Sequence, residues 1–248
     1  GTVIQSVNDT YELQYSGAVN VKWFGAKGDD VNDTTAMQDA LDFVSTSGDK
    51  LIVPEGTFTI NQVDIGSNTI IEGYGYNSII KRKSGGVITD VAMRIFGTAT
   101  VAPFDPALNA TNVDIRNIQF KGTVEPDNFE EFKHLIMAQG VTNLTIEDCW
   151  FTGWQGDAIV IRSGNVTAQA KNINVKILNN VFDGVILNNR NAVTMNDCDG
   201  FVVQGNTFKN CTKSTMPGAV DIEPNADDSF VVIRDVLIAN NTFKNVGG

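Results

Sequence analysis

The 248-residue sequence is poor in the residues that most often announce a chemistry. It holds one histidine, His134, and three cysteines, Cys149, Cys198 and Cys211. A lone imidazole and no C-x-x-C pair leave no ligand set for a zinc site. Three thiols are too few, and odd in number, for a disulfide framework; buried, they serve as small apolar side chains. No metal and no cofactor is therefore expected. Basic residues are scarce too: 18 Lys and Arg against 29 Asp and Glu give a net charge of -11. Binding nucleic acid needs cations that displace counterions from phosphates, and an anionic membrane repels an acidic surface. Neither partner is expected, and an anionic substrate would require positive charge focused locally. No apolar run approaches ~18 residues, so no membrane-spanning helix is predicted. The opening Gly1-Thr-Val-Ile-Gln5 has neither the basic nor the apolar region of a signal peptide. The stretch from Gly25 to Gly28 lacks P-loop spacing, and Asp29 and Asp30 beside it would repel phosphate.

What the sequence does have is repetition. Five segments follow one template, Asn/Asp–apolar–x–Ile/Val–x–Asn–x–x–Phe, beginning at Asn112, Asn143, Asn174, Gly200 and Asp235. Their closing phenylalanines stand at 120, 151, 182, 208 and 243, so the steps are 31, 31, 26 and 35 residues. A solenoid rung of three short strands and its turns needs about this length. Alternating Val113 and Ile115, with their equivalents, form one face of a strand, and stacking at ~4.8 Å would line them up in columns. Two residues past each Phe comes Gly122, Gly153, Gly184, Asn210 or Asn245, types that tolerate a left-handed turn. Asn180, Asn206 and Asn241 share one slot and are expected to form an amide ladder, with Cys149 and Ile118 earlier in the same slot. A second strand precedes each template. Aligned, these strands put Ile136, Ile159, Val193 and Val220 in one inward column and Ala138, Ile161, Met195 and Ile222 in the next. The sequence thus predicts an all-β chain, a single-stranded right-handed parallel β-helix.

Residues 33–45 form the one convincing helix, with Asp33 or Thr34 as cap and Met37, Leu41 and Val44 as the apolar stripe. It can cover the open end of a solenoid, which otherwise exposes core and strand edges. The run from Val21 to Leu41, then Val53-Pro-Glu-Gly-Thr-Phe58 and Ile71-Glu-Gly-Tyr-Gly75, resembles the amino-terminal cap of the pectate-lyase-like superfamily. That superfamily includes phage tailspikes, mannuronan epimerases and polygalacturonase-related hydrolases. The expected layout is a neck segment over 1–19 and a β-helix with a capping helix over 20–248. Because the sequence stops after a strand and turn, Asn241 to Gly248, it reads as an excerpt of a longer chain. Its overall character is similar to the preneck appendage, or tail-fibre, proteins of podoviruses infecting Bacillus. That resemblance implies a virion appendage acting outside the host, a homotrimer, and binding and degradation of surface polysaccharide or teichoic acid.

A solenoid's interior is filled by side chains, so chemistry must lie on outward columns and in loops. The outward columns of the second strand read Met137, Val160, Thr194, Asp221 and Gln139, Arg162, Asn196, Glu223. Asp221 and Glu223 lie on one face, ~6.5–7 Å apart at their Cα atoms, a separation suited to the acid and base of an inverting glycosidase. Gly218-Ala-Val-Asp-Ile-Glu-Pro-Asn225 precedes an insertion, Ala226-Asp-Asp-Ser229, and contains a stretch resembling one in tailspike-like β-helices. Arg162, two rungs below Glu223, suits an anionic substrate group, with Asn196 and Gln139 in the same column. Asp157 resembles the turn aspartate of β-helix hydrolases, with a turn residue bonding its own backbone as the favoured reading. Trp154 and Trp150 offer aromatic faces for sugar, with core packing as the alternative. His134, unpaired in its motif, is a weak base candidate. The acidic segment 123–133, with Glu125, Asp127, Glu130 and Glu131, would wall a saccharide groove. Three activities stay open: a hydrolase, a non-catalytic adhesin, and a lyase or epimerase.

Overall fold

The computed structural model describes residues 3–5, 10–12, 15–84, 91–97, 103–124, 130–185, 189–211, 218–224 and 230–247. Val3–Gln5 and Thr10–Glu12 pair antiparallel, whereas every pairing from Ala18 onward is parallel. The chain climbs as a parallel β-helix whose rungs each contribute strands to two sheets, one of fourteen strands and one of six. In the larger sheet, Ala110–Lys121 is a single long strand; its first half pairs with Val141–Glu147 and its second with Trp150–Thr152. Asn117, at φ 57°, supplies the bend between the halves.

That bend explains the template. Its sixth position is left-handed in every rung, at Asn117, Asp148, Asn179, Gly205 and Asn240, and so is its first, at Asn112, Asn143, Asn174, Gly200 and Asp235. Asn, Asp and Gly are the residues that adopt this conformation at least cost. Of the five turn residues expected after each Phe, Gly153, Asn210 and Asn245 have positive φ, and Gly122 and Gly184 do not. The last two are needed for a different reason. A Cβ on Gly122 would overlap the Gly153 carbonyl, and one on Gly184 the Asn210 carbonyl.

The predicted columns are present. Phe120, Phe151, Phe182, Phe208 and Phe243 stack at centroid spacings of 5.0, 4.8, 4.9 and 5.1 Å, with planes 9–13° apart. Val113 pairs with Leu144 and Leu144 with Val175, continuing the aliphatic column. The asparagine ladder is closed. Asn206 Oδ1 accepts from Asn180 N at 2.8 Å, and Asn241 Oδ1 accepts from Asn206 N at 2.8 Å. Their amide nitrogens donate back to the Ile146, Ile177 and Val203 carbonyls, so a buried row of polar groups is satisfied throughout.

The helix runs Thr34–Ser47 and buries Met37, Ala40, Leu41 and Val44 against the first rungs. Its cap differs from expectation. The Asp33 carboxylate makes no bond to the helix; it turns back to accept from Lys27 N and Gly28 N, fixing the glycine-rich loop. Asn32 Oδ1 accepts from Thr34 N instead, at 3.3 Å.

The six-stranded sheet comprises Val63–Ile65, Met93–Phe96, Ile136–Gln139, Ile159–Ile161, Val193–Met195 and Val220–Ile222. Ile136, Ile159, Val193 and Val220 share one column, as the alignment predicts, and Met137, Val160, Thr194 and Asp221 face outward together. This sheet carries the candidate site. Glu125 and Asp127 of the expected groove wall, and the insertion from Ala226 to Ser229, lie outside the described residues.

Candidate functional site

An outward column of a solenoid normally faces water, yet Met137, Val160, Thr194 and Asp221 are all at most 9% exposed. Val91 covers Met137 and Val160, and Glu131, Phe132 and His134 face Val160 and Thr194 as a second cover. Between that cover and the strands lies a cleft of about 160 Å3. Val160 and Thr194 form its floor. Glu131, Phe132, His134, Asp157 and Arg190 stand at the end where the strands begin, and Arg162, Asn196 and Glu223 where they finish.

The segment 130–134 is clamped to the rung above it. Gly156 N donates to Lys133 O at 2.9 Å, Leu135 N to Asp157 O at 3.2 Å, and Asp157 N to His134 Nδ1 at 2.9 Å. The fit requires glycine at 156: a Cβ there would sit 2.7 Å from Glu131 O and 2.9 Å from Lys133 C. His134, Asp157 and Asn191 therefore occupy one position of three successive rungs.

Asp157 is 1% exposed, and among the described residues neither of its carboxyl oxygens has a well-formed hydrogen bond. Its nearest charged neighbour is Arg190, whose Nη1 stands 3.6 Å from Oδ2 and 3.4 Å from Glu131 Oε1. Burial pushes the Asp157 carboxyl up to about 7; Arg190 and the Thr194 hydroxyl oppose this, and the charges of Asp221 and Glu223 add to it. The carboxyl therefore holds its proton through most of the acid range. His134 lies 3.5 Å from Asp157 Oδ2, but the two are not an ion pair. Its Nδ1 is occupied accepting the Asp157 amide, which puts the proton on Nε2, and burial together with Arg190, Arg162 and Arg82 lowers its pKa to about 3. The imidazole is neutral and acts as a fixed strut.

Asp221 does not line the cleft. Asn191 Nδ2 donates to its Oδ2 at 3.0 Å and to Thr194 Oγ1 at 3.2 Å, and burial raises its carboxyl above the usual range. Glu223 is exposed and lines the cleft; Asn196 Nδ2 holds its backbone carbonyl at 2.8 Å. Among the described residues three carboxyls line the cleft, Glu131, Asp157 and Glu223; Glu131 faces Arg190, and Glu223 is joined by Asp157, from a rung two away, rather than by Asp221 of its own strand. Arg162 and Asn196 also line it.

Two expected binding residues fall elsewhere. Trp154 is fully buried, edge-on to Phe182, so it offers no face to a sugar. Its indole N–H instead donates to Arg190 O at 3.1 Å and so helps hold that arginine. Gln139 lies beside Phe96 and outside the cleft lining. Trp150 is partly exposed, but on the fourteen-stranded sheet, against Tyr76. Sequence reasoning missed Arg190 and Phe132, which lie in irregular segments without a column to align, whereas Glu131 belongs to the segment expected to wall a groove and does line the cleft.

Residues 18–101 match the family model for rhamnogalacturonase A/epimerase, pectate lyase-like proteins. A tailspike protein, gp49, from Acinetobacter baumannii bacteriophage Fri1, a capsular polysaccharide depolymerase, superposes over 98% of this chain and 44% of its own, with TM-score 0.67 and 16% identity. An iota-carrageenase complexed to iota-carrageenan fragments superposes over 90% of this chain and 48% of its own, with TM-score 0.58 and 17% identity. The pre-mature gene product 12 of bacteriophage phi29 superposes over 92% of this chain and 29% of its own, with TM-score 0.53 and 17% identity. The chain thus spans less than half of each of these proteins. At such identities the likeness establishes the fold, the pectate-lyase-like parallel β-helix. No curated protein sequence is significantly similar to the chain.

Proposed function

We propose that this β-helix is a glycan-degrading module that hydrolyses a bacterial surface polymer in the cleft over its six-stranded sheet. The observation that carries the reading is Asp157: a buried carboxyl without a well-formed bond among the described residues, holding its proton at pH values below about 7, sharing a cleft with the exposed carboxyl of Glu223. Two carboxyls held in different environments divide into an acid and a base. Asp157 gives its proton to the bridging oxygen of the scissile bond, which leaves as a hydroxyl. Glu223 takes a proton from a water whose oxygen bonds to the carbon or phosphorus left behind. One water is consumed, and passage of the proton from Glu223 back to Asp157 through solvent resets the site. Arg162 and Arg190 bring two cations to the cleft of an otherwise acidic chain, which suits an anionic repeat unit such as that of an acidic polysaccharide or teichoic acid. The fold it shares with a capsular depolymerase tailspike supports a phage tail appendage, a homotrimer working outside the host cell, as its setting.

The test is release of reducing ends or phosphate from purified capsular polysaccharides and wall teichoic acids. Asp157→Asn and Glu223→Gln should each slow cleavage by roughly 10²–10⁴-fold, the usual worth of a general acid or base. If both variants cut at the wild-type rate, the site assignment is wrong. Binding without cleavage by the wild type would leave an adhesin.

A further inference from the structure

The proposed chemistry needs a sugar held still over Asp157, and the residues that perform the chemistry are all polar. A pyranose is amphipathic: its hydroxyls point outward around the ring while axial C–H bonds make one or both faces apolar. Polar contacts alone leave that face unmatched. Among the described residues lining the cleft, one is a large aromatic. Phe132 is 50% exposed, whereas the stacked phenylalanines of the first four templates, at 120, 151, 182 and 208, are fully buried. Exposing this much aromatic surface forgoes burial that would otherwise favour folding.

Phe132 is also held in place. The residue after it is bonded to Gly156 through Lys133 O, and His134 N donates to Phe132 O at 3.1 Å, closing a tight turn. On its other side Glu131 reaches Arg190 at 3.4 Å. Lys133 and His134 are themselves buried, at 8% and 7% exposure, so the turn is anchored immediately behind the exposed ring. The absence of side-chain room at Gly156 seats this turn directly beside Asp157.

We propose that Phe132 is the sugar-stacking platform of the cleft, placing the apolar face of a pyranose ring beside Asp157 while Arg162, Asn196 and Glu223 meet its polar edge. This rests on the glycan reading above, but not on hydrolysis. The role is one of substrate binding and positioning, and it takes the place that the sequence alone offered to Trp154.

The test uses the full chain against a panel of purified bacterial capsular polysaccharides, wall teichoic acids and iota-carrageenan, read by binding calorimetry and by cleavage. For the polymer that the wild type engages, Phe132→Ala should weaken binding and raise KM by roughly 5- to 10-fold, the scale of one aromatic contact. Phe132→Trp and Phe132→Tyr should stay within about twofold of wild type, since both keep a stacking face. A thermal melt of each variant, expected within about 1 °C of wild type for a half-exposed side chain, separates binding from folding. Unchanged affinity and KM in Phe132→Ala would overturn the platform and leave the hydrolase standing. A Phe132-dependent affinity with no cleavage would keep the platform and remove the hydrolase. A wild type that engages none of these sugar polymers would remove both.

Discussion

Replacing Asp157 by Asn should stabilise the protein, and by an amount that depends on pH. The folded carboxyl titrates at about 7 because burial penalises its charge, whereas in the unfolded chain it titrates at its ordinary 3.8. Between those values the folded state keeps a proton that the unfolded state has released. Wild-type stability therefore falls as pH rises through about 4 to 7, and the loss is complete above the folded value. The interval from 3.8 to about 7 corresponds to about 4 kcal/mol, at about 1.36 kcal/mol per tenfold change in proton affinity. Asparagine does not titrate, so the stability of Asp157→Asn relative to wild type should climb by about 4 kcal/mol between about pH 4 and pH 8. Urea unfolding at five pH values, followed by tryptophan fluorescence, measures this; Trp154 is fully buried and holds the adjacent Arg190, so it reports local loosening as well. Parallel stability curves for the two proteins would refute the reasoning, because they would mean that Asp157 ionises equally easily in both states. The same variant should lose cleavage at every pH. A gain in stability with a loss of activity is what a functional buried carboxyl predicts and a structural one does not.

Two further outcomes test other parts of the molecule. Asn206→Ala should cost about 2–6 kcal/mol by denaturation, since it strands the buried Asn180 N–H and the Ile177 carbonyl at about 1–3 kcal/mol each; a cost below about 1 kcal/mol would mean that water replaces the ladder. Imidazole nitrogen NMR should find His134 neutral, with its proton on Nε2, from about pH 4 to pH 8, because its folded pKa is about 3. A titration near the ordinary histidine value would show that its Nδ1 is not committed to the Asp157 amide.

The fold was legible because a solenoid writes its tertiary structure into local sequence. Rungs stack like on like, so Phe120 predicts Phe151 above it, and the Asn180 slot predicts Asn206 and Asn241. The glycine and asparagine signals were legible only in part. The template's first and sixth positions are left-handed bends, whereas Gly122 and Gly184 are glycines for want of space against a neighbouring carbonyl, and the two causes leave the same letter in a sequence.

For the site, the sequence alone assigned the outward columns, and Arg162, Asn196 and Glu223 do meet in one cleft. It could not tell which carboxyl joins Glu223. Asp221 is its neighbour by spacing, but it is buried, bonded to the Asn191 amide and absent from the cleft lining. Asp157 reaches the cleft because Gly156 lets the 130–134 turn close over the strands, a contact between segments more than twenty residues apart. Register along a repeat is a local property, and composition and periodicity determine it. Burial is not: whether an outward carboxylate meets water or a covering loop depends on where irregular segments settle. That choice, made only in the tertiary structure, fixes which acid keeps its proton.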